Sequence, residues 1–261
     1  MAEVIVRREG PVLRLTLNRP QRRNALTYAV IDELLDALEP VAGDDTCRVV
    51  LLDGAGSGFC SGDDMGGMGE PGGRRWQKVR RESAVIPQQT LIRTLRYLPR
   101  PVVVAIHGYA LGMGLDVALA CDLRICTENA QLGDPRSDRA LYAATGITYQ
   151  LPRAIGYGRA LAMMLMAECI SGREAERIGL VYRAVPEDEF ESAVADIVER
   201  FSRAATKSLA VIKEQMAAQM DLSYDLAARH SVALRITHTL EDTQEGIAAF
   251  FEKRSPRFTG R

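Results

Sequence analysis

The sequence predicts an α/β protein in which a core of alternating strands and helices is followed by a tail built from helices alone. Three observations carry this. Two short, unbroken apolar runs, Arg48 to Gly54 (RVVLLDG) and Pro101 to Gly108 (PVVVAIHG), have the length and β-branched content of strands covered on both faces. Helical spacing of apolar residues recurs on either side of them. From Pro186 onward only that 3.6-residue spacing remains, through Ala193, Ile197 and Phe201, then Leu209, Ile212 and Met216, and last Ile247, Phe250 and Phe251.

Taken in order, EVIVRR and VLRLTL flank Gly10-Pro11 and read as a hairpin between Glu3 and Leu17. Thr27 caps a helix whose apolar face is Val30, Ile31, Leu34, Leu35 and Leu38, stopped by Pro40 and Gly43. After the first buried strand comes a glycine-rich loop, Gly54 to Gly73, and a polar helix expected from about Trp76 to Leu98. The second buried strand leads into a helix at Met113 to Ala120, then a strand at Leu123 to Cys126.

The chain has 261 residues, 47% hydrophobic and 26% charged, the composition of an ordinary globular protein with a sizeable core. Its 33 basic and 34 acidic residues leave a formal charge of −1, so no global field draws nucleic acid or an anionic membrane. The apolar stretches fall far short of the roughly 20 residues of a bilayer span. The opening MAEVIVRREG lacks the basic start and apolar core of a secretory signal, so a cytoplasmic location is expected. Cys47, Cys60, Cys121, Cys126 and Cys169 are odd in number and scattered, which fits reduced thiols and no metal.

Several motifs are present only formally. Gly67 to Gly72 (GMGEPG) spells a G-x-G-x-x-G pattern, but it follows no strand and contains a proline where a dinucleotide fold starts its helix. Neither Ser61 nor Ser171 lies in a G-x-S-x-G elbow. Of His107, His230 and His238, the first ends a strand and reads as a scaffold residue. Two glycine-rich turns carry more. Each follows a buried strand: Phe59 to Met65 (FCSGDDM) and His107 to Ile125 (HGYALGMGLDVALACDLRI). Glycine lets backbone N–H groups approach a ligand, and the second turn also opens a helix with its partial positive charge. Two converging N–H groups make an oxyanion hole.

With NRPQRRNAL (Asn18 to Leu26), AQLGDP (Ala130 to Pro135), LPRAIGYGRA (Leu151 to Ala160), SGREAERIGLV (Ser171 to Val181) and FFEKRSPRF (Phe250 to Phe258), these turns stand in an order that resembles the crotonase, or enoyl-CoA hydratase/isomerase, superfamily over nearly the whole chain. The resemblance implies a repeated ββα core, here residues 1–195 with the acyl-CoA site, and a helical oligomerisation region, residues 196–261, assembling a trimer or a dimer of trimers. It implies a thioester carbonyl held between the N–H groups of Asp63 and Met113. Arg23, Ala25, Ser61, Asp64, Met65, Leu111 and Pro135 would line the CoA and acyl path, with Phe250 and Lys253 over the adenosine end. Coenzyme A enters as part of the substrate, with no permanently bound cofactor and no metal.

Two family glutamates depart here. The first position holds Asp116, one turn along the helix from Met113 and expected to be the principal acid/base; the second holds Arg136, which stays protonated and is no base. A third acidic position used by some relatives falls near Ala144. Asp134 and Asp138 flank Arg136 as acids or as ion-pair partners of Arg136 and Arg139. Arg136 itself either pairs with Asp116, Asp134 or Asp138, or receives a carboxylate or other polar oxygen on the acyl chain. The arginine-rich run Arg74, Arg75, Lys78, Arg80, Arg81 is either a contact for CoA phosphates or a solvated helix face. The expected activity is enoyl-CoA hydration or isomerisation, with two-carboxylate hydration compromised. Decarboxylation, C–C cleavage and a non-catalytic acyl-CoA-binding protein are the alternatives.

Overall fold

The computed structural model describes residues 2–67, 86–233 and 241–260. The hairpin forms as expected: β1 (Val4–Glu9) and β2 (Val12–Leu17) pair antiparallel around Gly10, whose φ of +58° suits glycine. Thr27 accepts a hydrogen bond from the Val30 N–H at 3.2 Å and starts α1 (Tyr28–Leu38). β3 (Val49–Gly54) then lies parallel to β2, and β4 (Val102–Ile106) parallel to β3.

Between them α2 spans Pro87–Tyr97. Its start at a proline fits the missing N–H of that residue. The earlier part of the helix expected from Trp76 lies outside the described residues. So do the run from Arg74 to Arg81, all but the first residue of the Gly67 to Gly72 motif, and His238.

After β4 the chain makes β5 (Tyr109–Leu111), α3 (Met113–Ala120), β6 (Leu123–Thr127) and β7 (Gln131–Gly133). It continues through α4 (Ile147–Ile155), α5 (Tyr157–Leu165), β8 (Cys169–Ser171), α6 (Gly172–Arg177) and β9 (Arg183–Val185). The helical tail is α7 (Phe190–Ser202), α8 (Thr206–Gln219), α9 (Tyr224–Ala233) and α10 (Glu241–Glu252). One sheet runs β1-β2-β3-β4-β6-β9, parallel except for the first pair, and a small second sheet runs β5-β7-β8.

The unbroken apolar runs are explained by two-sided burial. Side chains alternate along a strand, so Val50, Leu52, Val102, Val104 and Ile106 face the core shared with α1 and α2, where Ile31, Leu34, Leu91 and Leu95 are buried. Val49, Leu51, Val103 and Ala105 face the other way, onto Phe190, Ala193 and Val194 of α7. Each fully buried side chain of this size contributes about 1.5–3 kcal/mol. α7 runs across position 195/196, so residues on both sides of that expected division share the sheet's second face.

Later helices are tied down by polar contacts while their apolar faces stay open. Lys213 donates to the carbonyls of Leu95 and Arg100 and to Asp122, yet Met216 is 66% exposed and Phe250 78%.

Candidate functional site

Because β3 and β4 are adjacent and parallel, the loops leaving their C-terminal ends emerge side by side. Backbone pairing stitches them together. Cys60 N–H donates to Tyr109 O and Leu111 N–H to Cys60 O, both at 3.0 Å. On its other side the first loop pairs with Leu26, which donates to Gly62 O at 2.8 Å and accepts from Asp64 N–H at 3.0 Å. In such a parallel bridge the residue between the two contacts turns its own N–H away from the partner strand. That residue is Asp63.

The second N–H arises differently. Met113 is the first residue of α3, where helical N–H groups have no partner four residues back. Gly112 before it has φ +51° and ψ −120°, a conformation open to glycine, and its N–H is fixed on Gly133 O at 3.0 Å. Among the described residues, neither the Asp63 nor the Met113 N–H donates to another residue. The two turns are in contact: a Cβ on Gly62, at φ +104°, would stand 2.9 Å from Leu111 O and 3.4 Å from Met113 N.

A cavity of about 480 Å³ opens beside them. Arg23, Ala25, Ser61, Asp63, Asp64 and Met65 line it from the first loop and the segment paired with it, Leu111 and Met113 from the second, and Pro135 and Arg136 from the segment after β7. Arg22, Arg139 and Leu141, not expected from the sequence, also line it. Phe250 and Lys253 do not; they belong to the exposed end of α10 and the residue after it.

Asp116, expected to be the principal acid/base, is not among the lining residues either. It is completely buried. Arg136 lies between it and the cavity, donating from Nη1 to Asp116 Oδ2 at 3.0 Å and from Nη2 to Oδ1 at 2.9 Å. The same guanidinium donates from Nε and Nη2 to the two oxygens of buried Asp134, at 2.6 and 2.9 Å. Thr145 adds a hydroxyl to Asp116 Oδ2. Protein carboxylates therefore occupy four of the five guanidinium donors, and no fork is left for a substrate carboxylate. Asp138 makes no ion pair with Arg136 or Arg139 among the described residues; Arg139 donates to Pro135 O instead.

The charges shift one another in opposite directions. Burial pushes Asp116 up, to about 6, against the pull of Arg136. Burial also raises Asp63, with Arg136 drawing it down. Although burial opposes its charge, the hydrogen bonds it donates to Asp134 and Asp116 hold the Arg136 pKa above its ordinary value.

Three supporting residues were not singled out by sequence reasoning. Asn24, at φ +53° and buried, donates to the carbonyls of Ala55 and Gly58 at 2.8 Å and so fixes the first loop to the end of β3. Asparagine is among the residues that tolerate this backbone region, the one signal in the sequence. Arg19 ties Glu3, the Ala25 carbonyl and Asp64 together. Thr145 stands next to Ala144, where the resemblance located a missing acid. His107 does as expected, its Nε2 lying 2.9 Å from Gly56 O, and all five cysteines are unpaired.

Comparison with known proteins gives a consistent result. The family model described as enoyl-CoA hydratase/isomerase matches residues 7–261. A probable enoyl-CoA hydratase of Rhodobacter capsulatus is 36% identical, over 95% of this chain and 94% of that protein. The 2,3-dehydroadipyl-CoA hydratase of Escherichia coli is 32% identical over the full length of both. Among solved structures, an enoyl-CoA hydratase from Bacillus anthracis superposes with a TM-score of 0.91 at 31% identity, covering 99% of this chain and all of that one.

Proposed function

The chain belongs to the enoyl-CoA hydratase/isomerase family and has its crotonase fold, and from that premise we propose that it holds the thioester carbonyl of an acyl-CoA between the N–H groups of Asp63 and Met113 and moves a proton next to it. It is an acyl-CoA-handling enzyme. The observation that carries the proposed site is the pair of backbone N–H groups, on two residues that line one cavity, that among the described residues donate to no other residue. Removing a proton alpha to a thioester, or adding a nucleophile beta to it, puts negative charge on the carbonyl oxygen. Preorganised donors matched to that charge contribute about 3–4 kcal/mol each.

Isomerase-type proton transfer fits this cavity better than water addition by two carboxylates. Asp116 and Arg136 occupy the two acidic positions of the family's hydratases, and here they neutralise each other. With the Arg136 fork filled, the acyl group is a neutral one. The substrate brings its own coenzyme A, and no resident cofactor takes part. In the same reading the protein is a trimer or dimer of trimers in the cytoplasm. Supporting this are the open apolar faces of the tail, Ile212, Met216, Phe250 and Phe251 among them, and five unpaired thiols. Among the described residues no helix is long and apolar enough to cross a membrane.

Calorimetric titration with neutral and carboxylated acyl-CoA thioesters tests the proposal. Neutral thioesters should bind in the micromolar range and more tightly than carboxylated ones. Absence of affinity for any acyl-CoA at millimolar concentration, with folded protein, removes it.

A further inference from the structure

Four carboxylates lie in or behind the cavity wall, and three are ion-paired to an arginine. Asp116 and Asp134 hold Arg136, and Asp64 accepts from Arg19 Nη2 at 2.9 Å and from the Gly66 N–H at 3.0 Å. The side chain of Asp63 differs. It lines the cavity, is half-buried, and among the described residues makes no ion pair within 4.0 Å.

Resting on the thioester site proposed above, we infer that the Asp63 carboxylate is the catalytic base and acid of this enzyme, while Asp116 positions Arg136. The geometry within one residue favours it. The carboxyl carbon of an aspartate is three bonds from its own amide nitrogen, and a thioester's oxygen and α-carbon share one carbonyl carbon. A residue whose N–H holds the oxygen therefore keeps its carboxylate within reach of the α C–H. An oxygen of Asp63 takes the α proton, and the C–H electron pair becomes the C=C bond of the enolate. The carbonyl π pair moves onto the oxygen between the Asp63 and Met113 N–H groups. Return of the proton to the α-carbon reverses the step, and return to the γ-carbon of an unsaturated chain completes a double-bond shift.

The surroundings suit a group that must both take and give a proton. Burial and Asp134 raise the Asp63 pKa, whereas Arg136, the Asp63 N–H and the Gln88 amide lower it, with the balance upward. Cys60, the remaining titratable neighbour on that loop, is buried and pushed up to about 12, so it stays a neutral thiol. A carboxylate raised toward the working pH is a stronger base than an ordinary one.

The test is exchange of the α protons of butyryl-CoA in D2O, followed by NMR, alongside calorimetric binding of the same thioester. Wild type should bind and exchange, with a rate that climbs through an apparent pKa above the ordinary carboxylate range. Asp63→Asn, which keeps the backbone N–H, should bind within about threefold of wild type, lose about 100-fold or more in exchange, and lose the pH step. Asp116→Asn should lose less than Asp63→Asn. Should Asp63→Asn fail to fold, Asp63→Ser carries the same comparison. Exchange by Asp63→Asn at the wild-type rate, a larger loss in Asp116→Asn, or wild type that binds without exchanging would each overturn the role of Asp63 and leave the thioester site standing. Failure of wild type to bind overturns both.

Discussion

Along the Asp63–Met113 wall of the cavity the positions are set by backbone pairing, whereas along the Asp116–Arg136–Asp134 wall they are set by charges that hold one another. The first wall has the pairings of Leu26 with Gly62 and Asp64, Cys60 with Tyr109 and Leu111, and Gly112 with Gly133. Its N–H groups survive a change of side chain, which is how Met113 and Asp63 can stand at the proposed donor positions without loss of the donors. The second wall has no such tolerance. Asp116 and Asp134 are buried, and both are compensated by one shared guanidinium, that of the half-buried Arg136.

The largest effect should come from forcing a side chain into the backbone wall. Gly62→Val requires φ +104° of a β-branched residue and sets a Cβ 2.9 Å from Leu111 O. Exchange of butyryl-CoA protons should fall by about 1000-fold. Exchange within tenfold of wild type would show that the two turns need not meet.

Next is Arg136→Met, which leaves Asp116 and Asp134 buried without a cation at a cost of about 3–5 kcal/mol. Thermal unfolding by circular dichroism should drop by about 10 °C. Adding Asp116→Asn and Asp134→Asn should restore most of that. A drop under about 2 °C in the single variant would mean that the charges do not hold this wall. Thr145→Val, removing one donor to the Asp116 carboxylate, should cost about 2 kcal/mol in urea unfolding, and no change would exclude that hydroxyl from the network.

The smallest change concerns pH. The folded pKa of Asp116 is raised to about 6 from an ordinary 3.8. A raised carboxylate favours folding below its unfolded pKa, and that contribution disappears as pH rises through the folded value. Relative to Asp116→Asn, wild type should therefore gain stability between pH 7 and pH 4 in urea titrations. A constant difference across that window would argue that Arg136 offsets the burial of Asp116 completely.

The backbone wall was legible before the structure because its signals are local. A glycine after a buried strand, a threonine three residues ahead of Val30 and the apolar run from Val102 to Ile106 each report a conformation within a few residues. The charged wall was legible only as a set of options. Arg136 had several acids available, and choosing Asp116, 20 positions upstream, depends on how β7 and α3 pack. Helical spacing correctly located Asp116 one turn after Met113 but did not reveal that Arg136 covers it. Asn24 and Thr145 gave no pattern, since a single polar residue shows no period.

The seam joining the two turns draws on positions from Leu26 to Gly133. Pairings so distant along the chain close large loops, whose entropy is lost before the contacts are gained. The donor pair should therefore be absent from early compact states, however much helix they contain. In stopped-flow refolding, the capacity to bind an acyl-CoA is expected to return only with the slowest phase, after the far-ultraviolet signal has recovered.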